Sequence, residues 1–105
     1  NTGGMGAISP PPAFGREIQE KALASMGRPM LAEMVRRGTP FRGVIFAGLM
    51  LTTEGPKLIE YNVRFGDPEA QALLIRLKSD LLPILAALAQ GNLEHAAAEF
   101  SDEHS

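Results

Sequence analysis

The amino-acid sequence predicts an α+β fold, an antiparallel sheet with flanking helices. Two apolar runs rich in β-branched and aromatic residues, 41–51 and 57–64, are separated by a short stretch of turn residues. Apolar side chains at helical spacing precede these runs from about residue 16 and follow them from about residue 69. Because so few residues join the two runs, we expect them to form a hairpin of antiparallel strands.

The composition is that of a small globular domain. The chain has 105 residues, of which 45% are hydrophobic and 21% are charged, so it can bury one core and is not a disordered segment. A formal net charge of −2 argues against a nucleic-acid surface, and no apolar run approaches the ~18 residues of a membrane helix. Without cysteine or an apolar leader, the protein is expected to be cytoplasmic. Because it starts at Asn1, we expect the chain to be a piece of a longer protein.

The first third of the chain predicts a loop and then helical structure. The glycine-rich loop (residues 1–6) is followed by three consecutive prolines, which block both a helix and a central strand. From about Arg16, apolar side chains recur at helical spacing, and Gly38 is a suitable residue to end the pattern. Gly27 and Pro29 interrupt it, so the sequence predicts either one kinked helix or two short helices.

Two further helices are predicted after the hairpin. Asp67 is expected to cap the first, with Pro68 at its first helical position, where the lack of an N–H group costs no hydrogen bond. Ser79 or Asp80 is expected to cap the second, which ends at Gly91.

A row of polar side chains lies on the second predicted strand. Side chains alternate between the two faces of a strand, so Glu60, Asn62 and Arg64 share one face at intervals of about 6.6 Å. Ile59 and Tyr61 are expected on the other face. A carboxylate and an amide oxygen suit magnesium, and a guanidinium matches the geometry of a phosphate. The row therefore predicts a metal–phosphate site, although an ordinary strand with a solvated polar face shows the same alternation.

Two loops and one helix contribute further candidates, each with an alternative interpretation. Consecutive amides of the glycine-rich loop could bind one anion, or the loop could be a simple turn. Asp67 and Glu69 could have the purely structural role of capping the helix that follows, or they could hold an ammonium group or a second metal. Arg76 and Lys78 are expected on solvated helix faces, with a phosphate contact as the alternative.

Four segments of the chain together resemble one enzyme family. They are NTGGMG at 1–6, FAGLM at 46–50, IEYNVRFGDPEAQ at 59–71 and RLKSDL at 76–81. In this order they closely resemble the phosphoribosylamine–glycine ligase family of the ATP-grasp superfamily. The resemblance implies that the chain is the C-terminal lobe of an ATP-grasp fold. Residues 1–92 would be the C-terminal part of the ATP-grasp domain, and residues 93–105 would start a linker toward a missing C-terminal domain.

The resemblance also implies an activity, an ATP-dependent carboxylate–amine ligase of de novo purine biosynthesis. Enzymes of this family join glycine to 5-phosphoribosylamine through a glycyl phosphate, with ATP as co-substrate and Mg²⁺ or Mn²⁺ as cofactor. The implied partners are these small molecules and the missing lobes of the parent chain, with no nucleic acid and no membrane. Because those lobes would clamp ATP from the opposite side, the chain alone is expected to be inactive.

Particular residues acquire roles through the resemblance. Glu60 and Asn62 match metal ligands, Leu49 and Glu60 would contact ATP, and Arg64 would stabilise charge on the transferred phosphoryl group as a catalytic residue. The substrate-binding residues that it implies are Asn1, Thr2, Gly3, Gly4, Met5, Gly6, Asp67 and Glu69. Many ATP-grasp relatives carry a further acidic metal ligand on the preceding strand, but residues 46–50 contain no carboxylate.

Two alternatives stay open at the level of sequence. One is another ATP-grasp carboxylate–amine ligase with different substrates. The other is a non-catalytic module that binds an anion or a partner through the glycine-rich loop and residues 64–69. Nucleotide binding that needs both magnesium and Glu60 would distinguish an enzyme from such a module.

Overall fold

The α+β arrangement expected from the sequence is confirmed in a computed structural model, which describes residues 5–105. In chain order the elements are α1 (Arg16–Ala22), a π-helical segment (Leu23–Gly27), α2 (Arg28–Arg36), β1 (Phe46–Thr52), β2 (Gly55–Asn62), α3 (Glu69–Leu74), α4 (Leu81–Gln90) and a 3₁₀ turn (Leu93–His95). Every helix in this part of the chain is too short or too polar to cross a membrane.

The first helical stretch is continuous, because the π-helical segment joins α1 directly to α2. Pro29 lies just after this segment and has no N–H group to donate to a carbonyl one turn earlier. A π turn places an extra residue in the helix at such a point, so the stretch continues without a break. Gly38, with φ +78°, follows the end of α2 as expected.

One side of this helical stretch is partly buried. Its partly buried side chains recur at every fourth position and include Ile18, Ala22, Met26, Met30 and Met34. A regular α-helix has 3.6 residues per turn, so a spacing of four would drift around its surface. The extra residue of the π turn offsets part of that drift and keeps these side chains toward the sheet.

β1 and β2 form an antiparallel hairpin with a two-residue turn between Thr52 and Gly55. The strands are shifted relative to the predicted ranges 41–51 and 57–64. Phe46 pairs with Asn62, and the chain bends immediately after Asn62, so residues before 46 find no partner on β2. Arg64 consequently lies just beyond the strand to which the sequence assigned it.

A β-bulge interrupts the hairpin beside the polar row. Gly48 pairs with Glu60, whereas Leu49 pairs with Leu58, so Ile59 is the extra residue on β2. As a result, Ile59 and Glu60 line the same cavity. The prediction that these two side chains lie on opposite faces is therefore wrong, because strict alternation requires a regular strand.

The helical stretch packs over one face of the hairpin. The Tyr61 hydroxyl donates a hydrogen bond of 2.7 Å to the Met26 carbonyl in the π-helical segment. An apolar cleft of about 410 Å³ lies between this segment and side chains such as Ala47. Glu60 and Asn62, which alternate with Tyr61 along β2, line a different cavity.

The start of α3 differs from the sequence prediction. Pro68 occupies the N-cap position with φ −95° and ψ 14°, and α3 begins at Glu69 without a side-chain cap. Asp67 lies before the cap, and its Oδ1 accepts a hydrogen bond of 2.9 Å from Gln71 Nε2. The prediction that Asp67 caps this helix is therefore wrong, since its carboxylate is engaged by a side chain and not by a backbone N–H group.

α4 begins after Asp80 and ends at Gly91, which has φ +76°, as predicted. The side chain of Asp80 makes no capping hydrogen bond. Ser79 is engaged elsewhere, because its Oγ accepts a hydrogen bond of 3.0 Å from the backbone N–H of Glu99.

The C-terminal segment (residues 99–105) packs against the end of α3. Leu77 and Phe100 form an isolated antiparallel bridge, and the Ser101 N–H donates to the Arg76 carbonyl at 2.7 Å. The side chain of Arg76 is half-buried between these segments. The expectation that Arg76 lies on a solvated helix face is therefore wrong.

Candidate functional site

One cavity gathers several of the side chains that the sequence singled out. This polar cavity has a volume of about 480 Å³ and is lined by Phe46, Gly48, Leu49, Met50, Ile59, Glu60, Asn62, Arg64, Asp67 and Glu69. The hairpin supplies one side of it, and the corner between β2 and α3 supplies the other.

Glu60, Asn62 and Arg64 form a hydrogen-bonded row in this cavity. Asn62 Nδ2 donates to Glu60 Oε1 at 3.1 Å, and Arg64 Nη2 donates to Asn62 Oδ1 at 3.4 Å. Arg64 lies beyond the end of β2, but its Nη1 also donates to the Phe65 carbonyl at 2.9 Å. The structure therefore places an acid, an amide and a guanidinium side by side.

The donor chemistry of this row fits a hard divalent cation. Glu60 offers carboxylate oxygens and Asn62 an amide oxygen, which are the donors that Mg²⁺ and Mn²⁺ prefer. Within residues 5–105, no group of three or more His, Cys, Asp or Glu side chains is arranged to hold a metal ion. Magnesium commonly takes only one or two protein ligands and completes its shell with water and phosphate oxygens, so two donors suffice.

Gly48 is a residue of this cavity that the sequence analysis did not single out. It pairs directly with Glu60, and a Cβ atom built on it would lie 3.4 Å from Glu60 Cγ. A glycine inside a strand often marks the close approach of a ligand or of another backbone, and this was the signal available in the sequence. The absence of a side chain at Gly48 leaves space beside the Glu60 carboxylate.

Asp67 and Glu69 lie at the corner end of the cavity in different surroundings. Asp67 is exposed and is bonded to Gln71, whereas Glu69 is half-buried. Gly66 is buried against Glu69, and a Cβ atom at Gly66 would overlap the Glu69 carboxylate. Only glycine at this position therefore allows Glu69 to fold back over the corner.

A second cavity connects Glu69 to the segment that follows the glycine-rich loop. It has a volume of about 380 Å³, and its mostly apolar lining includes Ile8, Phe65 and Leu73, with Ser9 and Glu69 as polar members. Since Glu69 also lines the polar cavity, the two cavities meet at its side chain.

The glycine-rich loop is only partly covered by the structure. Its first four residues, Asn1, Thr2, Gly3 and Gly4, lie outside the described residues. Met5 is 73% exposed and Gly6 has φ +139°, a backbone conformation that favours glycine. Neither of these two lines the polar cavity or the second cavity, so the structure brings residues 7–9, and not residues 5–6, beside Glu69.

Both residues expected to contact ATP line the polar cavity. Leu49 lies next to the bulge and also lines the apolar cleft beneath the helical stretch. Glu60 is exposed to the cavity on the neighbouring strand. An apolar side chain and a carboxylate therefore both border this cavity.

The chain is similar to known proteins over nearly its whole length. It is 55% identical to phosphoribosylamine–glycine ligase of Agrobacterium fabrum over 103 residues, which are 98% of this chain and 24% of that protein. The corresponding protein of Rhizobium meliloti is 56% identical over 103 residues, with the same coverage of 98% and 24%. That of Caulobacter vibrioides is 52% identical over 96 residues, or 91% of this chain and 22% of that protein. The chain thus spans about a quarter of the length of these curated relatives.

A family model also matches this chain. Residues 1–70 match the family described as "Phosphoribosylglycinamide synthetase, ATP-grasp (A) domain". The match contains the glycine-rich loop, the hairpin with its polar row and the corner as far as Glu69. The two-stranded antiparallel sheet with flanking helices is consistent with a part of such a domain. The chain therefore belongs to the phosphoribosylglycinamide synthetase family, and its residues 1–70 match the ATP-grasp (A) domain of that family.

Proposed function

We propose that the parent protein of this chain is a ligase that uses ATP to join glycine to 5-phosphoribosylamine in purine biosynthesis. The observation that carries the proposal is the hydrogen-bonded row of Glu60, Asn62 and Arg64, which lines a polar cavity in a chain of this family. The relatives that bear the name phosphoribosylamine–glycine ligase support this reaction.

In this reaction the γ-phosphoryl group of ATP passes to the carboxylate of glycine, and ADP leaves. The amine of phosphoribosylamine then attacks the acyl carbon of glycyl phosphate, and inorganic phosphate leaves. Glu60 and Asn62 would hold Mg²⁺ or Mn²⁺, which when bound neutralises charge on the phosphate oxygens. Arg64, at the end of the same row, would stabilise negative charge on the phosphoryl group during its transfer.

The other candidate residues divide between the nucleotide and the amine substrates. Leu49, beside Glu60, would contact the adenine of ATP with its apolar side chain. Glu69, half-buried where the two cavities meet, can hold an ammonium group of an amine substrate, with Asp67 nearby. The glycine-rich loop, Asn1 to Gly6, would line the site of the acceptor substrate with its backbone amides.

This proposal includes a place for the chain within the parent protein. Residues 1–92 would form the C-terminal part of the ATP-grasp domain, and residues 93–105 would begin a linker. The polar cavity is open, so further groups that enclose ATP would come from other lobes of the parent protein. The chain alone is therefore expected to show no ligase activity, and the parent protein is expected in the cytoplasm.

Glu60→Gln in the parent protein tests the proposal most directly. The substitution removes the charge from the expected metal ligand, so magnesium-dependent ATP binding should weaken about tenfold or more in calorimetric titration. Glu54→Gln is the matched control, because Glu54 is an exposed acid on the same hairpin, does not line the polar cavity and pairs with Lys57 at 3.3 Å. This control should leave nucleotide binding unchanged.

The outcomes of this experiment separate the three candidate functions. Nucleotide binding that survives Glu60→Gln, or that needs no metal, would favour a non-catalytic anion-binding module. Metal-dependent binding that is lost in Glu60→Gln, together with release of ADP from ATP in the presence of substrates other than glycine and phosphoribosylamine, would favour another ATP-grasp ligase. ADP release that requires both named substrates supports the proposed reaction.

A further inference from the structure

The guanidinium of Arg76 joins segments of the chain that are far apart in sequence. Its Nη1 donates to Ser9 Oγ at 2.6 Å, and its Nη2 donates to the Ser101 carbonyl at 2.8 Å. Its Nε donates to the carbonyls of Ser101 and Glu103, both at 3.1 Å. The ring of Phe100 also lies 6.0 Å from the guanidinium carbon. All three nitrogens of this half-buried cation are thus engaged by the protein.

These contacts leave Arg76 poorly suited to bind a phosphate. A phosphate would have to displace the neutral oxygens of Ser9 and Ser101 that already accept from its N–H groups. The planar fork of arginine can reach several acceptors at fixed angles, whereas the ammonium of lysine is a single point charge. Arg76 therefore connects Ser9 to the C-terminal segment, and this connection needs the shape of the arginine fork and not simply a positive charge.

The same connection is reinforced by the backbone. The N–H of Ser9 donates to the carbonyl of Ser105 at 2.9 Å, and the N–H of Ser105 donates to the carbonyl of Ser9 at 2.8 Å. Ser105 Oγ donates in turn to the Ala72 carbonyl in α3 at 2.5 Å. The C-terminal segment is therefore bonded to Ser9 on one side and to α3 on the other.

Ser9 lies between two parts of the proposed substrate site, the glycine-rich loop and Glu69. It follows Gly6, the last residue of the glycine-rich loop, by three positions, and it lines the second cavity together with Glu69. Glu69 is the first residue of α3. Fastening Ser9 to the C-terminal segment and α3 thus sets the distance between the exit of the loop and the Glu69 carboxylate.

We propose that Arg76 is a positioning residue for the acceptor substrate. Through Ser9 and the C-terminal segment, it holds the exit of the glycine-rich loop beside α3 without touching the substrate itself. This inference rests on the proposed function, in which the loop and Glu69 bind the amine substrate. It follows that binding of 5-phosphoribosylamine depends on Arg76, whereas binding of ATP at the row of Glu60, Asn62 and Arg64 does not.

The test compares steady-state constants of the full-length parent protein carrying Arg76→Gln. A displaced binding loop can cost roughly ten- to a hundredfold, so the KM for 5-phosphoribosylamine should rise by about tenfold or more. The KM for ATP should stay within about twofold, because Arg76 does not line the polar cavity that contains Glu60, Asn62 and Arg64. Arg76→Lys should give a KM for 5-phosphoribosylamine between those of the wild type and of Arg76→Gln, since one ammonium cannot reach all of the acceptors.

Two further variants isolate the contact that matters. Lys78→Gln is the matched control, because Lys78 pairs with Glu99 of the same C-terminal segment at 3.6 Å and has an exposed side chain. It should leave every KM unchanged. Ser9→Ala removes only the hydroxyl that accepts from Arg76, so it should raise the same KM in the same direction. Combined with Arg76→Gln, it should add little, as expected for two groups of one interaction.

The results distinguish this inference from the proposed function. An unchanged KM for 5-phosphoribosylamine in the Arg76→Gln protein would overturn the inference alone, provided that the wild type is active. A parallel rise of all KM values with a lower melting temperature would also overturn it, because that result indicates general destabilisation. If Arg76→Gln does not fold, the selective effect of Ser9→Ala decides. A wild-type parent without activity on glycine and phosphoribosylamine would overturn the proposed function and this inference together.

Discussion

Two glycines control how closely acidic side chains approach the backbone around the polar cavity. Gly48 leaves space beside Glu60 across the hairpin, and Gly66 leaves space for the carboxylate of Glu69 at the corner. Neither has a positive φ, and only at Gly66 would an added Cβ overlap its neighbour, because at Gly48 it would lie at an ordinary contact distance of 3.4 Å from Glu60 Cγ. At the residue scale, the site therefore depends on missing side chains as much as on charged ones.

Gly66→Ala in the parent protein should displace Glu69 while leaving the polar row intact. The new Cβ would overlap the Glu69 carboxylate, so this side chain must leave the corner. We expect the KM for the amine substrate to rise about tenfold or more in steady-state kinetics. ATP binding, measured by calorimetry, should change little. Gly15→Ala is the control, because nothing lies within 4 Å of the Cβ that it adds. An unchanged KM for the amine would show that Glu69 does not contact that substrate.

At the scale of secondary-structure elements, the ends of the helices contribute interactions that can be tested separately. The C-terminus of α4 meets Arg42, whose Nη1 donates to the Ala89 carbonyl at 3.3 Å. A positive side chain at this end of a helix is favourable, because the last carbonyls carry partial negative charge. Gly91 follows directly, with φ +76°.

Gly91→Ala should destabilise the protein more than Gly38→Ala. Both glycines have similar positive φ values, +76° and +78°, so an alanine at either costs about 1–2 kcal/mol from backbone strain. Only at Gly91 would the new Cβ also lie 2.8 Å from the Arg42 guanidinium. Urea unfolding of the two variants measures the difference, which reports the displacement of Arg42. An equal loss of unfolding free energy in the two variants would mean that Arg42 moves away without a cost in stability.

The last turn of α2 should make a small contribution to stability that depends on pH. The Arg36 guanidinium, and then that of Arg37, holds the pKa of the Glu33 carboxyl below its usual 4.5. A carboxyl with a lower pKa in the folded state stabilises the protein above its unfolded-state pKa and loses this effect as pH falls through the folded-state pKa. The difference in unfolding free energy between wild type and Glu33→Gln should therefore be present at pH 7 and shrink below about pH 4.5. A difference that is constant across this range would contradict the assignment.

At the scale of the whole molecule, the chain exposes more surface than a closed domain of its mass. Its accessible surface is 7763 Å², whereas about 5,700 Å² is expected for a folded monomer of 11.2 kDa. The radius of gyration is 14.5 Å, compared with about 13 Å for a compact chain of this length. In the described part of the chain, no hydrophobic side chain is fully buried.

The isolated chain should therefore behave as an incompletely packed domain. We expect it to bind the dye ANS, whose fluorescence reports exposed apolar surface, and to unfold in urea over a broad transition. Large apolar side chains such as Ile75 and Leu82, both 76% exposed, account for this expectation. A sharp cooperative transition without dye binding would show that the chain closes a core of its own.

Local patterns in the sequence were enough to predict the hairpin, the helical segments and the family to which the chain belongs. The placement of Glu60 beside Asn62 could be predicted from alternation, because residues two apart on a strand share a face. Arg64 lies beyond the end of β2 and joins the row through its hydrogen bond to Asn62. Other features could not be predicted, since they depend on contacts between distant residues. The bulge at Ile59 depends on how β2 pairs with β1, and the partners of Asp67 depend on how the chain enters α3.

Arg76 shows most clearly what only the tertiary structure decided. In the sequence it is one of two basic residues near a helix end, and nothing nearby distinguishes it from Lys78. Its partners, Ser9 and Ser101, are separated from it by 67 and 25 positions, and only folding brings them together. Periodicity records the neighbours that a residue has within its own helix or strand. The hydrogen bonds that fasten one segment to another depend on three-dimensional packing, which no local pattern contains.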